Sequence, residues 1–210
     1  PEADENDGLD VDLDYNRVKL RTIKVSPALQ WHGDLGSKVK LGLSYESIEV
    51  EETEGRFINT IIGENVDVHN NFIGAELSYS FENRDNKAFP TLGMETNIQV
   101  GYKSNIKESN GFGYIMPSLA FDYKLNSSGQ LVLATKVSGH FNFGDNFEFY
   151  QAASLGANNG LRAYRNERFT GKTAFVQSTD LRLNLRRIKT GVLPINVGLF
   201  GGFDYGRVWI

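Results

Sequence analysis

Residues 73–81 read Ile73-Gly-Ala-Glu-Leu-Ser-Tyr-Ser-Phe81, with apolar side chains at the odd positions and glycine, glutamate or serine at the even ones. Side chains of a β-strand point alternately to the two faces of a sheet, whereas a helix repeats its apolar residues every three to four positions. The stretch therefore predicts a strand with one apolar face and one polar face.

The same alternation recurs along the chain and predicts about eight strands in all. Several stripes are longer than the five or six residues usual in soluble sheets. They match the roughly nine to eleven residues that a tilted strand needs to cross a bilayer. The apolar members of the other stripes are Ile23, Val25, Leu29 and Trp31; Val39 to Tyr45; Met94 to Tyr102; Ile115 to Leu125; Leu131 to Phe143; Leu181 to Leu185; and Ile195, Val197, Leu199, Phe203 and Tyr205.

The polar face of these strands decides between two classes of β protein. It carries Lys, Glu, Asp and Asn side chains, which a dry core could not hold unpaired. In a membrane barrel the apolar face contacts lipid and the polar face contacts a water-filled lumen. The pattern therefore favours an all-β, antiparallel transmembrane β-barrel. The alternative is a large soluble β-sheet protein with one solvated face.

The connections predict an orientation for such a barrel. Long polar loops at Glu51–Asn70 and Gly144–Gly171 alternate with tight turns near Gly33–Gly36 and Asn126–Gly129. Outer-membrane barrels place short turns in the periplasm and long loops outside. The first sixteen residues, with seven acids and no base, then fall on the external side. Their spacing misses the EF-hand pattern, so a solvated segment is favoured over a calcium site.

Composition excludes several kinds of chemistry. The 210 residues contain no cysteine, which removes thiol catalysis, disulfides and thiolate zinc sites. The three histidines are far apart and fit no metal-binding spacing, and no nucleophile elbow or phosphate loop is present. A net charge of −4 without a concentrated Lys/Arg face argues against nucleic-acid binding. We therefore expect no enzyme activity, metal or cofactor in this chain.

Two segments are more specific than the alternation. The longer begins with Leu155–Gly171 and continues through Gln177–Leu185 and Gly201–Trp209. It resembles the bacterial surface antigen family, the barrel shared by BamA-type outer-membrane assembly factors and two-partner secretion transporters. The other, Tyr79–Asn86 followed by Phe89–Gly93, is similar to the family's strand-to-turn element.

The family's signature is a Val/Leu-Arg-Gly-Tyr/Phe tetrad in a long loop that folds back into the lumen. Leu161-Arg162-Ala163-Tyr164 matches it at three positions. Ala163 stands where the family has glycine, so a positive φ at this site would strain the alanine.

The resemblance implies a barrel of sixteen strands, of which this chain would supply about the sixth to the thirteenth. Residues 1–210 would then be an incomplete outer-membrane barrel domain without a second domain. Residues 143–171 would form the lumen-entering loop.

In the family, the tetrad's arginine reaches acidic side chains in the lumen. Alternation puts Asp180 and Asp204 on the lumen face of two successive strands. A guanidinium can bind two carboxylates at once, which predicts that Arg162 is clamped between them. The alternative is a solvent-exposed Arg162 and two aspartates that merely line a wet lumen.

The function implied by the resemblance is non-hydrolytic insertion or translocation of polypeptides, or of lipid-linked cargo, at the outer membrane of a Gram-negative bacterium. The implied partners are an unfolded or secreted polypeptide, outer-membrane lipid and lipopolysaccharide, and periplasmic accessory proteins. Lipid could also meet the basic side chains of Arg165, Arg168, Arg186 and Arg187, although solvated charges are the favoured interpretation. Two alternatives remain open: a passive porin or surface receptor, and a membrane anchor or pore for an upstream hydrolase domain.

Overall fold

The computed structural model describes residues 17–53, 55–62, 67–185, 188–189, 194–195 and 197–210. The acidic segment 1–16 and the two arginines Arg186 and Arg187, for which the sequence predicts solvated positions, lie outside the described residues. No helix in the described part of the chain is long and apolar enough to cross a membrane.

The described residues are mainly β-strands joined by loops. The strands are β1 (Leu20–Val25), β2 (Ala28–His32), β3 (Ser37–Val50), β4 (His69–Arg84), β5 (Gly93–Asn105), β6 (Gly111–Lys124), β7 (Leu131–Phe143), β8 (Ala153–Leu155), β9 (Phe169–Gly171), β10 (Thr173–Asn184), β11 (Ile188–Lys189), β12 (Pro194–Ile195) and β13 (Gly198–Trp209). A short helix α1 (Phe57–Ile62) lies in the loop after β3, and 3-10 turns span Asp34–Gly36, Phe149–Gln151 and Ala157–Asn159.

One antiparallel sheet contains all the long strands, in the order β1-β3-β4-β5-β6-β7-β10-β13, with β2 beside β3. β1 and β2 keep a single register against β3, because Val25 pairs with Tyr45 and Ala28 pairs with Gly42. Pro27 interrupts the ladder between them, since proline has no backbone N–H to donate. Counted this way the sheet has eight strands, and the prediction of an all-β antiparallel fold is confirmed.

The last predicted stripe begins earlier in the sequence than the strand does in the structure. Ile195 belongs to β12 and pairs with Ile188 of β11, while the long strand β13 starts at Gly198. β1 and β13, the first and last strands in the order, do not pair with each other among the described residues, so the sheet stays open.

The two faces of the sheet have opposite polarity. Leu43 and Leu199 are 63% and 64% exposed, whereas Glu46 and Asp122 are only 5% and 4% exposed. We call the face of Glu46 and Asp122 the inner face and the opposite one the outer face. Apolar side chains outside and carboxylates inside reverse the arrangement of a soluble sheet, as the alternation predicts.

Ion pairs between strands compensate the buried inner-face carboxylates. Glu46 on β3 binds Lys24 on β1 and Lys103 on β5, both at 2.7 Å. Asp122 on β6 binds Arg84 on β4, with 2.9 Å between Oδ2 and Nε. A buried charge is tolerated when it is paired and hydrogen-bonded, so these contacts explain how charged side chains occupy the inner face.

The segment that resembles the family's strand-to-turn element ends β4 and turns at residues 85–92. Asp85 accepts hydrogen bonds from the Thr91 hydroxyl and from the N–H groups of Thr91 and Leu92, at 2.9 and 3.1 Å for the two N–H groups. These bonds, the Thr91 hydroxyl first, lower the pKa of Asp85 to about 2. The carboxylate therefore closes this turn at any ordinary pH.

The antiparallel order groups the connections at two ends of the sheet. Residues 51–53, 55–62 and 67–68 lie at one end with residues 106–110 and 144–172, and we call this the long-loop end. Residues 33–36 and 85–92 lie at the other, the short-turn end. We call residues 144–172 the inner loop, because they fold back onto the inner face.

Single cysteines should distinguish a lipid-facing outer face from a solvated one. In intact membranes, Leu77→Cys should be protected from a water-soluble maleimide, as should Leu43→Cys and Leu133→Cys, because lipid would cover these positions. The matched control is Ser78→Cys, one residue away on the inner face, which should react. Equal, rapid labelling at positions 77 and 78 would contradict a transmembrane sheet.

Candidate functional site: an arginine between two strands

The inner loop has its own small framework. β8 and β9 form an antiparallel pair in which Ala153 faces Gly171 and Leu155 faces Phe169. Lys172 binds Asp145 at 2.6 Å, so an ion pair joins the two ends of the loop. The side-chain amide of Asn142 on β7 donates to the carbonyl of Gln151 at 3.1 Å. These bonds hold the loop as an ordered hairpin against the sheet.

An apolar cluster attaches the inner loop to the inner face. Leu155 and Leu161 of the loop are 4% and 6% exposed and pack with Ala153, Ala174 and Val176. Ala174 and Val176 lie on the inner face of β10, in the first part of the strand, where this face is apolar. Burial of two leucines contributes roughly 1.5–3 kcal/mol each. The loop therefore docks on an apolar segment of β10.

Two glycines of β13 allow the loop to approach the sheet closely. A Cβ at Gly206 would lie 2.9 Å from Leu155 and 3.1 Å from Leu161. A Cβ at Gly202 would lie 2.3 Å from Asp180 Oδ1 and 2.5 Å from Arg162 Nη2. Side chains at either position would occupy the space that the loop and its arginine fill.

Arg162 lies between β10 and β13 and contacts a carboxylate on each. Its Nε and Nη2 donate to Asp204 Oδ2 and Oδ1 at 2.9 and 2.6 Å, and its backbone N–H donates to Oδ2 at 3.2 Å. Its Nη1 lies 2.9 Å from Asp180 Oδ1. The structure thus brings together the three charged residues that the sequence singles out.

The site is only partly enclosed. The Arg162 side chain is 43% exposed, compared with 20% for Asp180 and 14% for Asp204. Hydrogen bonds to Asp204 and the neighbouring negative charge of Asp180 raise the pKa of Arg162 above its ordinary value, so the guanidinium stays charged. Solvent screens a half-exposed pair, so these contacts bear on the position of the loop more than on formation of the sheet.

The other tetrad residues have distinct positions. Leu161 is buried in the apolar cluster, and Tyr164 is half-exposed with its ring edge-on to Phe169 at 5.1 Å between centroids. Ala163 does not adopt a positive φ, so the alanine in place of the family's glycine carries no left-handed strain. The departure from the family pattern at this position is therefore compatible with the loop's geometry.

The sequence pattern does not predict three contributors to the site, Gly202, Gly206 and Arg182. Gly202 and Gly206 flank Asp204 at two residues on either side, and strand alternation alone would have put all three on one face. Arg182 on β10 lies 3.9 Å from Asp180 Oδ2 and 3.5 Å from Asp122 Oδ1. No local signal in the sequence indicates the pairing of Arg182 with Asp122, because these residues belong to strands that are distant along the chain.

A cavity of about 680 Å³, lined by both polar and apolar side chains, lies beside the docked loop on the inner face. Lys38, Lys136, Ser78 and Asn97 line it from the strands, and Asn159 lines it from the loop. Among the described residues, no group of three or more His, Asp or Glu side chains is arranged to hold a metal ion.

The apolar outer face, the charged inner face and the loop folded onto that inner face define an outer-membrane β-barrel. The family model of the Omp85 superfamily domain matches residues 7–210, and the chain belongs to the Omp85 superfamily. Its location is the bacterial outer membrane. The predicted kinship with BamA-type barrels is thereby confirmed.

A solved structure has the same fold. The crystal structure of BamA from Haemophilus ducreyi lacking POTRA domains 1-3 superposes with a TM-score of 0.70 at 17% sequence identity. The match covers 91% of this chain and 42% of that chain, so the present chain spans less than half of the BamA chain it resembles. A search of curated protein sequences finds no match.

Substitution of the glycine beneath the guanidinium should release the loop. In the full-length protein, Gly202→Ala should displace Arg162, because the new Cβ would overlap its Nη2 and Asp180. The expected result is faster proteolysis within residues 144–172 with the barrel still folded, as judged by its heat-modifiable migration in gels.

Gly201→Ala provides the matched control, since a Cβ at Gly201 meets nothing within 4 Å. Equal loop proteolysis in the two alanine variants would show that close approach at Gly202 does not hold the loop.

Proposed function

We propose that this chain is part of a barrel that inserts or translocates polypeptides at the outer membrane without hydrolysis, and that the inner loop is its movable element. The observation that carries the proposal is the placement of Arg162 between Asp180 and Asp204, on two neighbouring strands. Such an arrangement fastens a loop to the inner face by contacts that can break and re-form.

The strength of the contact suits a reversible attachment. Removal of one partner from a buried ion pair costs about 3–5 kcal/mol, whereas an exposed pair contributes about 0.2–1 kcal/mol. Arg162 lies between these limits, being half-exposed but bound by three N–H groups to one carboxylate. We estimate about 1–2 kcal/mol for the contact after screening by solvent.

Each proposed partner would contact the part of the sheet whose polarity suits it. Lipid and lipopolysaccharide would cover the outer face, where leucines are exposed. An unfolded or secreted polypeptide would meet the polar inner face, and periplasmic accessory proteins would meet the short-turn end. In the proposed register the chain supplies about the sixth to the thirteenth of sixteen strands, and the remaining strands and any periplasmic domains belong to the whole protein.

The lysines in the cavity beside the loop favour a second candidate, a passive pore. Lys38 and Lys136 face this cavity together with serine and asparagine side chains, a lining that water and small ions would tolerate. A passive pore would conduct ions without acting on polypeptides, so the two functions differ in a measurable way.

The proposed function predicts that Arg162 is needed for activity. With full-length protein in proteoliposomes, Arg162→Ala should slow insertion of an unfolded barrel substrate about 5–30-fold, the factor that corresponds to 1–2 kcal/mol. Arg162→Lys should recover part of the rate, because an ammonium cannot reproduce the two-pronged contact with Asp204.

Arg165→Ala is the control, since Arg165 is an exposed arginine of the same loop for which the described residues show no ion pair. Full insertion activity in Arg162→Ala would refute the proposal. Steady ion conductance without any insertion of substrate in the wild type would favour the passive pore.

A further inference from the structure

Asp180 lies between two arginines that belong to different parts of the chain. Its Oδ1 is 2.9 Å from Nη1 of Arg162, which the inner loop carries. Its Oδ2 is 3.9 Å from Nη2 of Arg182, two residues away on the same strand and face. The carboxylate is thus within reach of a second cation that does not move with the loop.

Asp204 has a different environment. All its ion-pair contacts in the described part of the chain are with Arg162, which donates to it from Nε, Nη2 and the backbone N–H. If the loop leaves the inner face, Asp204 loses its cation, whereas Asp180 needs only a small rotation to bind Arg182. The two aspartates of the clamp are therefore not equivalent.

Arg182 is itself held in place from the other side. Its Nη1 lies 3.5 Å from Oδ1 of Asp122, whose side chain is only 3% exposed. Oδ2 of the same carboxylate binds Nε of Arg84 on β4 at 2.9 Å. Because Asp122 retains Arg84, Arg182 can shift toward Asp180 without leaving a buried charge unpaired.

We propose that Arg182 is a positioning residue that competes with Arg162 for Asp180 and takes over this carboxylate when the inner loop is released. The inference rests on the proposed role of Arg162 in fastening the loop. Arg182 lowers the free energy of the released state, because only Asp204 is then left without a cation. It also weakens the docked state, because two guanidinium groups share one carboxylate and repel each other.

If Arg182 competes with Arg162, its removal should change release of the loop in the direction opposite to that expected for a purely structural residue. If Arg182 only held Asp180 in place, its removal would loosen the loop. If it competes with Arg162, its removal leaves Asp180 to Arg162 alone and holds the loop more tightly. The direction of the change therefore separates the two.

The experiment measures release of the loop with a buried cysteine. Ala153 belongs to the docked loop and is 0% exposed within the apolar cluster, and the 210 residues contain no cysteine of their own. In full-length protein in lipid, the rate at which Ala153→Cys reacts with a water-soluble maleimide reports the population of the released state. Arg182→Gln in this background should lower the rate about two- to fivefold, the range that a partly exposed ion pair supports.

Three further variants make the result decisive. Arg182→Gln/Asp180→Asn should return the rate to the wild-type value or above it, because the carboxylate that holds the loop more tightly is gone. Arg182→Lys should lie between wild type and Arg182→Gln. Lys124→Gln, which removes an inner-face cation without an ion pair in the described residues, should leave the rate unchanged.

A faster or unchanged rate in Arg182→Gln would overturn the inference, as would a failure of Ala153→Cys to react when no other residue is changed. Arg162→Ala tests the underlying clamp separately and should raise the rate. If it does not, the proposed role of Arg162 fails, whatever Arg182 does.

Discussion

Each buried carboxylate on the inner face requires a positively charged partner, and these ion pairs link strands of the sheet to one another and to the inner loop. Glu46 joins β3 to β1 and β5 through two lysines, and Asp122 joins β6 to β4 through Arg84. Asp204 takes its cation from the inner loop instead of from a strand. The same pairing that makes a charged inner face tolerable therefore also brings the loop to the sheet, beside an apolar cluster that completes its docking.

The strands and their faces could be predicted from the sequence because alternation is a local signal. The stripe from Ile73 to Phe81 predicts β4, and parity alone places Asp180 and Asp204 on the inner face. Arg162 could be predicted as the partner of these two aspartates only from the family resemblance, since nothing in the spacing of the loop residues indicates where its side chain lies. In the structure, Arg162 contacts both Asp180 and Asp204.

The remaining parts of the site depend on contacts between distant segments. Arg182 and Asp122 are 60 residues apart, and their pairing follows from a sheet order in which β6, β7 and β10 are neighbours. Gly202 reads as an ordinary strand glycine until the guanidinium of Arg162 is placed against it. Helix α1, within a segment predicted as loop, is only six residues long and lacks the sustained apolar period that marks a helix in sequence.

An experimental structure of the full-length protein in a lipid nanodisc tests the central claim most directly. The account predicts lipid against the leucines of the outer face and the Arg162 guanidinium within hydrogen-bonding distance of Asp204, with Asp180 beside it. An inner loop extended into external solvent, with Arg162 farther than about 6 Å from both carboxylates, would contradict it, because opposite charges at that separation no longer stabilise each other appreciably.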